Sequence, residues 1–183
     1  KLTWNENPLG VSPKAAPAIP AAIAELSRYP DGSGYELKHA LSAKLGLAPE
    51  RIVLGNGSND VLEMVARAFL SPATNAVYAQ HAFAVYPLAT QATGARGIEV
   101  AARDFGHDLD GMLRAIDRDT RVVFIPHPNN PTGTFVVPAA MHDFLRQVPA
   151  HVVTVVDEAY QEYLPSELQA DSIGWLREFP HLV

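Results

Sequence analysis

The run Val152-Val153-Thr154-Val155-Val156 breaks off abruptly into Asp157-Glu158-Ala159-Tyr160, and this break restricts the fold more than anything else in the chain. Five apolar or β-branched residues without alternation suit a strand covered on both faces, the condition of a parallel sheet with helices above and below it. A carboxylate at the end of such a strand stands at the carboxyl edge of the sheet, where open α/β folds bind their ligands. Asp157 is therefore a candidate site residue.

The rest of the chain keeps that rhythm. Short apolar runs at 52–54, 76–79, 98–101 and 122–125 alternate with segments of helical periodicity at 60–70, up to about Thr93, near 109–116 and near 139–148. Such alternation predicts βαβ units, hence an α/β fold whose mostly parallel sheet carries helices on both faces. Upstream, residues 14–28 are Ala-rich with Ile19, Ile23 and Leu26 at helical spacing, which predicts a helix despite Pro17 and Pro20. The stretch 28–34 consists of turn residues, and 35–45 predicts a second helix stopped by Gly46. The expected division is an N-terminal arm and helix over 1–28, followed by the first part of a larger α/β domain over 29–183.

Composition excludes several classes of function. A net charge of −6, with 14 Lys and Arg spread singly, offers no basic stripe for nucleic-acid phosphates. The longest apolar stretch, 15–24, contains two prolines and falls short of the ~20 residues of a membrane-spanning helix. No secretory signal is present, although a chain opening on Lys1 suggests residues before it. Zero cysteines exclude disulfides, thiolate nucleophiles and Cys-bound metals, and agree with a cytoplasmic setting. No metal site is expected, because His81 has no second His or acid at ligand spacing.

Three segments carry candidate chemistry. Gly55-Asn56-Gly57-Ser58-Asn59-Asp60 lies between a strand and a helix, and a Gly-rich turn there lets free N–H groups and the helix dipole meet a phosphate. Ser58 and Asn59 are equally good N-caps that require no ligand, so both readings stand. His81-Ala82-Phe83-Ala84-Val85-Tyr86 follows a strand, where Phe83 could stack on a flat heteroaromatic ring. By itself a Phe in that place reads first as core. Pro128-Asn129-Asn130-Pro131-Thr132-Gly133 is, taken alone, an ordinary turn, but it brings Asn130 to the same edge as Asp157 and Tyr160.

Two nucleotide-binding readings fail. An apolar strand ending in Asp-Glu suits a P-loop ATPase, but that fold needs a Gly-Lys dipeptide in its phosphate loop and the chain has none. Gly55-x-Gly57 opens a dinucleotide fingerprint, but its third position is Asp60, and the following strand ends in Ala79-Gln80 without a ribose-binding acid.

Together, the Asn129-Asn130-Pro131-Thr132-Gly133 turn and the Asp157-Glu158-Ala159-Tyr160 strand end resemble the cofactor site of fold type I pyridoxal-phosphate enzymes. Among these the chain is most similar to histidinol-phosphate aminotransferases. Trp4-Asn5-Glu6-Asn7-Pro8-Leu9-Gly10 resembles their N-terminal arm, and Arg28-Tyr29-Pro30-Asp31 their intersubunit loop. The resemblance implies a cytoplasmic homodimer that binds pyridoxal 5′-phosphate. Its reaction would pass an amino group between a small amino donor and a 2-oxo acid, here histidinol phosphate and 2-oxoglutarate, in histidine biosynthesis.

Carried over by motif, Ser58, Asn59 and Asp60 would hold the cofactor phosphate through backbone and side chains, and Tyr29 would reach the phosphate of the neighbouring subunit. Phe83 would stack on the ring, Asn130 and Tyr160 would bond its 3′-oxygen, and Asp157 would pair with its protonated nitrogen. Leu9 departs from the tyrosine that some relatives use for substrate. An aromatic or other amino-acid aminotransferase, or a phosphothreonine-type decarboxylase, fits the same motifs.

The family attaches its cofactor to a lysine beyond the Asp-Glu-Ala-Tyr strand, whereas Lys1, Lys14, Lys38 and Lys44 all precede the first sheet strand. The resemblance thus implies the N-terminal part of a longer enzyme, with an incomplete large domain. As it stands the chain would be inactive, or a non-catalytic phosphate-binding module.

Overall fold

The computed structural model describes residues 5–183, so Lys1 and Trp4 lie outside the described residues. The chain divides into two compact units, Lys1–Ile52 and Val53–Val183.

In the second unit four parallel strands, β1 (Asn75–Ala79), β2 (Arg96–Val100), β3 (Thr120–Pro126) and β4 (Val153–Asp157), lie in the order β2-β1-β3-β4. Successive residues of a strand point to opposite faces, and in β1 and β3 both faces are buried, whereas the edge strand β2 is largely exposed. Ala76, Tyr78, Val122, Phe124 and Val155 pack with Leu62, Val65 and Ala66 of helix α3 (Ser58–Phe69) and with Tyr86 and Ala89 of α4 (Val85–Ala92). Val77, Ala79, Val123 and Ile125 face Met112 of α5 (Leu109–Ala115) and Met141, Phe144 and Leu145 of α6 (Pro138–Gln147). The non-alternating apolar runs are thereby explained, and the α/β fold with helices on both faces is as expected from sequence.

From β1 the chain crosses to β2 on one side and returns to place β3 on the other. This reversal leaves a crevice between the carboxyl ends of β1 and β3, the switch point at which such sheets bind ligands.

The apolar run 52–54 corrects an expectation, because it is not a strand. Ile52 is extended, but the run has no ladder partner among the described residues and Val53 is 65% exposed. An extended conformation becomes a strand only when a neighbour pairs with its N–H and C=O groups.

The first unit contains helices α1 (Ala18–Ile23) and α2 (Tyr35–Leu45), and none of its described residues is buried. Helix α2 has the expected bounds and ends where Gly46 turns left-handed at φ 67°. The helix expected over 14–28 shrinks to six residues. On either side the chain forms tight turns bonded between residues three apart, such as Ala18 N–H to Ala15 O and Leu26 N–H to Ile23 O. Pro17 and Pro20 contribute no N–H, and without a buried face nothing draws the segment into longer regular helix. The unit ends in a 3₁₀ turn at Pro49–Arg51. Among the described residues no helix is long and apolar enough to cross a membrane.

Candidate active site

The carboxyl ends of β1, β3 and β4 and the start of α3 converge on one cleft, lined by Ser58, Phe83, Tyr86, Pro126, Pro128, Asn130, Asp157, Ala159 and Tyr160. Five residues named from sequence, Ser58, Phe83, Asn130, Asp157 and Tyr160, meet there although they are spread over more than half the chain. Asn59 and Asp60 stand beside the cleft in the first turn of α3, and both are exposed. Tyr29 belongs to the first unit, where its ring is fully exposed.

Asp157 closes the β3–β4 ladder opposite Pro126, and its carbonyl accepts from His127 N–H at 2.8 Å. Its carboxylate is held at both oxygens. Oδ1 accepts from the Ala159 N–H at 3.1 Å, and Oδ2 accepts from the Tyr86 hydroxyl at 2.9 Å. Tyr86 is fully buried, and its ring lies parallel to Phe124 at 5.0 Å and edge-on to Phe83 at 5.9 Å. Burial, with the Asp157 charge beside it, pushes the phenol far above its ordinary range, so the hydroxyl stays a donor.

Asn130 owes its place to its neighbour. The buried Asn129 amide donates to His81 O at 3.1 Å and to Thr132 Oγ1 at 2.7 Å, while Gly133 N–H returns to Asn129 O at 2.8 Å. The turn after β3 is thus pinned to the loop after β1, the two segments that flank the switch point.

The turn at 55–60 folds closely against the start of α3. A side chain at Gly55 would press on Val61 Cγ2 at 2.9 Å and on Asp60 Cβ at 3.0 Å, and Gly57 sits at φ 82°, which L side chains rarely adopt. Gly57 caps α3 without any side-chain bond, so the first amides of the helix point outward with neither an intrahelical nor a capping partner. The Asp60 carboxylate turns back to accept from Asn56 N–H at 2.9 Å. That bond braces the turn against the start of the helix.

Next to Asp157, Glu158 faces inward. Burial pushes its carboxyl up to about 7, partly offset by the Ser172 hydroxyl donating at 2.8 Å, and the Glu162 and Asp157 charges add to the rise.

Sequence reasoning gave Tyr86 and Asn129 no role. Tyr86 is the second residue of α4, three residues after Phe83, and that spacing was the available signal that the two rings stand close together. Asn129 was legible only as part of a turn.

All 183 residues match the model of the aminotransferase class I and II family. The chain belongs to that family. Over its whole length this aminotransferase chain is 59% identical to histidinol-phosphate aminotransferase 1 of Cupriavidus pinatubonensis and 58% identical to the histidinol-phosphate aminotransferase of Methylobacillus flagellatus. It covers 49% and 50% of those proteins, so it spans about half the length of the relatives it matches.

Among solved structures it resembles the histidinol-phosphate aminotransferase of Sinorhizobium meliloti in complex with pyridoxal-5′-phosphate, at TM-score 0.90 and 27% identity, covering 97% of this chain and 48% of that one. A Thermus thermophilus aspartate aminotransferase double mutant is similar at TM-score 0.85 and 25% identity, with 99% and 50% covered. The fold is that of fold type I pyridoxal-phosphate aminotransferases and represents part of their large domain.

Proposed function

We propose that this chain is the cofactor-binding part of a pyridoxal-phosphate aminotransferase whose substrates are histidinol phosphate and 2-oxoglutarate, acting as a cytoplasmic homodimer in histidine biosynthesis. The observation that carries the reading is the convergence of Phe83, Asn130, Asp157 and Tyr160 on one cleft beside the uncapped start of α3. The donor set suits a flat heteroaromatic phosphate: backbone N–H groups for a dianion, a ring to stack on, an amide and a phenol for an oxygen, and a carboxylate for a protonated nitrogen.

In this reading the amides of Ser58, Asn59 and Asp60, with the Ser58 hydroxyl, hold the phosphate, and Tyr29 reaches that of the neighbouring subunit. Phe83 fixes the plane of the ring, while Asn130 and Tyr160 donate to its 3′-oxygen. Asp157 keeps the ring nitrogen protonated by holding a negative charge against it. When bound, the cofactor supplies an electron sink for the carbon that loses its proton. Residues 1–28 form an arm and helix distinct from the large domain that begins at residue 29.

The substrate rests on the relatives at 58–59% identity, since the fold is shared with an aspartate aminotransferase. The test is kcat/KM of the full-length protein for histidinol phosphate, phenylalanine, tyrosine and aspartate, with 2-oxoglutarate as acceptor. Histidinol phosphate is expected to lead by 10²-fold or more, on the order of the several kcal/mol lost when a site built for a polar group meets a substrate without one. Equal rates with phenylalanine or tyrosine would replace this reading with a general aromatic aminotransferase.

A further inference from the structure

Tyr86 is buried to 0% exposure, and its ring needs no hydroxyl to be there. Phe124 stacks on one face at an interplanar angle of 8°, and Phe83 meets the ring edge-on at 85°, contacts that a phenylalanine would make equally well. A buried phenol requires a hydrogen-bond partner, and this one reaches Asp157 Oδ2, 71 residues away in sequence, at 2.9 Å. The other carboxylate oxygen is held by Ala159 N–H, so the plane of the carboxylate is fixed from two directions. Neither donor carries a charge, and the negative charge of Asp157 remains available to a cationic partner. The phenol is also held as a donor, because burial and the adjacent carboxylate oppose its ionisation.

We propose that Tyr86 is the positioning residue of this site: its hydroxyl orients the Asp157 carboxylate toward the ring nitrogen, and its ring links that carboxylate to the stacking face of Phe83. The role rests on the pyridoxal-phosphate reading above and adds to it a residue to which the motifs assign no role. It also accounts for the place of Tyr86 at the start of α4, three residues after Phe83, where the Tyr86 N–H bonds back to Phe83 O at 3.1 Å and ties the brace of the carboxylate to the segment that carries the stacking ring.

Tyr86→Phe in the full-length protein separates a positioning role from core packing, since it removes one oxygen and keeps the ring. Binding to the apo-protein is measured for pyridoxal phosphate and for its 1-carba analogue, in which CH replaces the ring nitrogen. The substitution is expected to weaken pyridoxal phosphate about tenfold or more, the scale of a lost hydrogen bond to a charged group. It should leave the analogue within about twofold, because no nitrogen then depends on the carboxylate.

In an Asp157→Asn background the same substitution should have little further effect on pyridoxal phosphate, as coupled residues lose their effect together. Equal weakening of both ligands, or full additivity with Asp157→Asn, would overturn the positioning role while leaving the cofactor reading intact. Failure of the wild-type protein to bind pyridoxal phosphate would overturn both.

Discussion

Residues 5–52 and Val53–Val183 are both rich in apolar side chains, yet they owe their structure to different forces. The second unit puts Phe124, Ile125, Met141, Phe144 and Leu145 out of contact with water on the two faces of one sheet. The first unit leaves Ile19, Ile23, Leu26, Tyr35 and Leu37 exposed and shapes itself by local bonds. Asp31 shows how. Its carboxylate accepts from the Ser33 hydroxyl and N–H and from Tyr35 N–H, which starts α2 where the left-handed Gly34 supplies no side chain. Apolar composition alone therefore does not make a core; a sheet to pack against does.

The comparison breaks first at the sheet. Phe124→Ala, at the centre of β3 and stacked on Tyr86, should destabilise the second unit by about 3–5 kcal/mol in denaturant unfolding. A loss under about 1 kcal/mol would mean that this core is not what holds the unit together. At the mouth of the same sheet, Asp157→Asn in the full-length protein should lower turnover by roughly 10²-fold or more, since an amide cannot hold a cationic nitrogen by charge. Near-normal turnover would remove Asp157 from the site.

Smaller effects follow from titration. Glu158 has a folded value raised to about 7, so its protonated form favours the fold. That contribution is complete below the ordinary carboxyl range near 4.5 and is lost as pH rises through about 7. Unfolding curves between those values should show stability falling with pH, and Glu158→Gln should flatten the slope; an unchanged slope would assign it to other groups.

Asp31 has the opposite sign, lowered to about 2 chiefly by the Ser33 hydroxyl. Its support for the start of α2 is present above about 4 and fades as pH falls toward 2. Protection of the Ser33 and Tyr35 amides, taken relative to the intrinsic exchange rate at each pH, should fall over that interval while the strands of the second unit stay protected.

Smallest of all, Leu26→Ala, 76% exposed, should change the stability of this chain by less than about 0.5 kcal/mol. A clearly larger loss in the full-length protein would show that Leu26 meets a surface outside residues 5–183.

The sheet was legible in the sequence where its inner strands are covered on both faces, so Val122–Ile125 and Val152–Val156 read as unbroken runs of apolar or β-branched residues. The run at 52–54 looked the same and failed, because pairing is a property of two segments and the sequence of one does not contain it. Residues 14–28 carried helical spacing but no face to bury, so the spacing had nothing to act on. In the site, Phe83, Asn130, Asp157 and Tyr160 were legible because each follows or ends a strand, where open sheets present their ligands' partners. Tyr86 was hidden by its resemblance to ordinary core, and its hydroxyl acquires a meaning only when a distant strand brings Asp157 to it.

The pairing of Pro126 with Asp157 at the end of the β3–β4 ladder has a consequence for how the sheet avoids error. Strands that are apolar on both faces can slide by two residues and still match one hydrophobic side chain with another, so hydrophobicity alone sets their alignment loosely. A slide that drew β4 inward would place Asp157 beside Phe124, in the dry interior, where an unpaired carboxylate costs several kcal/mol. A slide outward would put Val155 at the mouth and break the bonds from Tyr86 and Ala159. The ionised residue at the strand's end thus acts as a stop, and a chain selected for its chemistry at that position is also proofread there for its alignment.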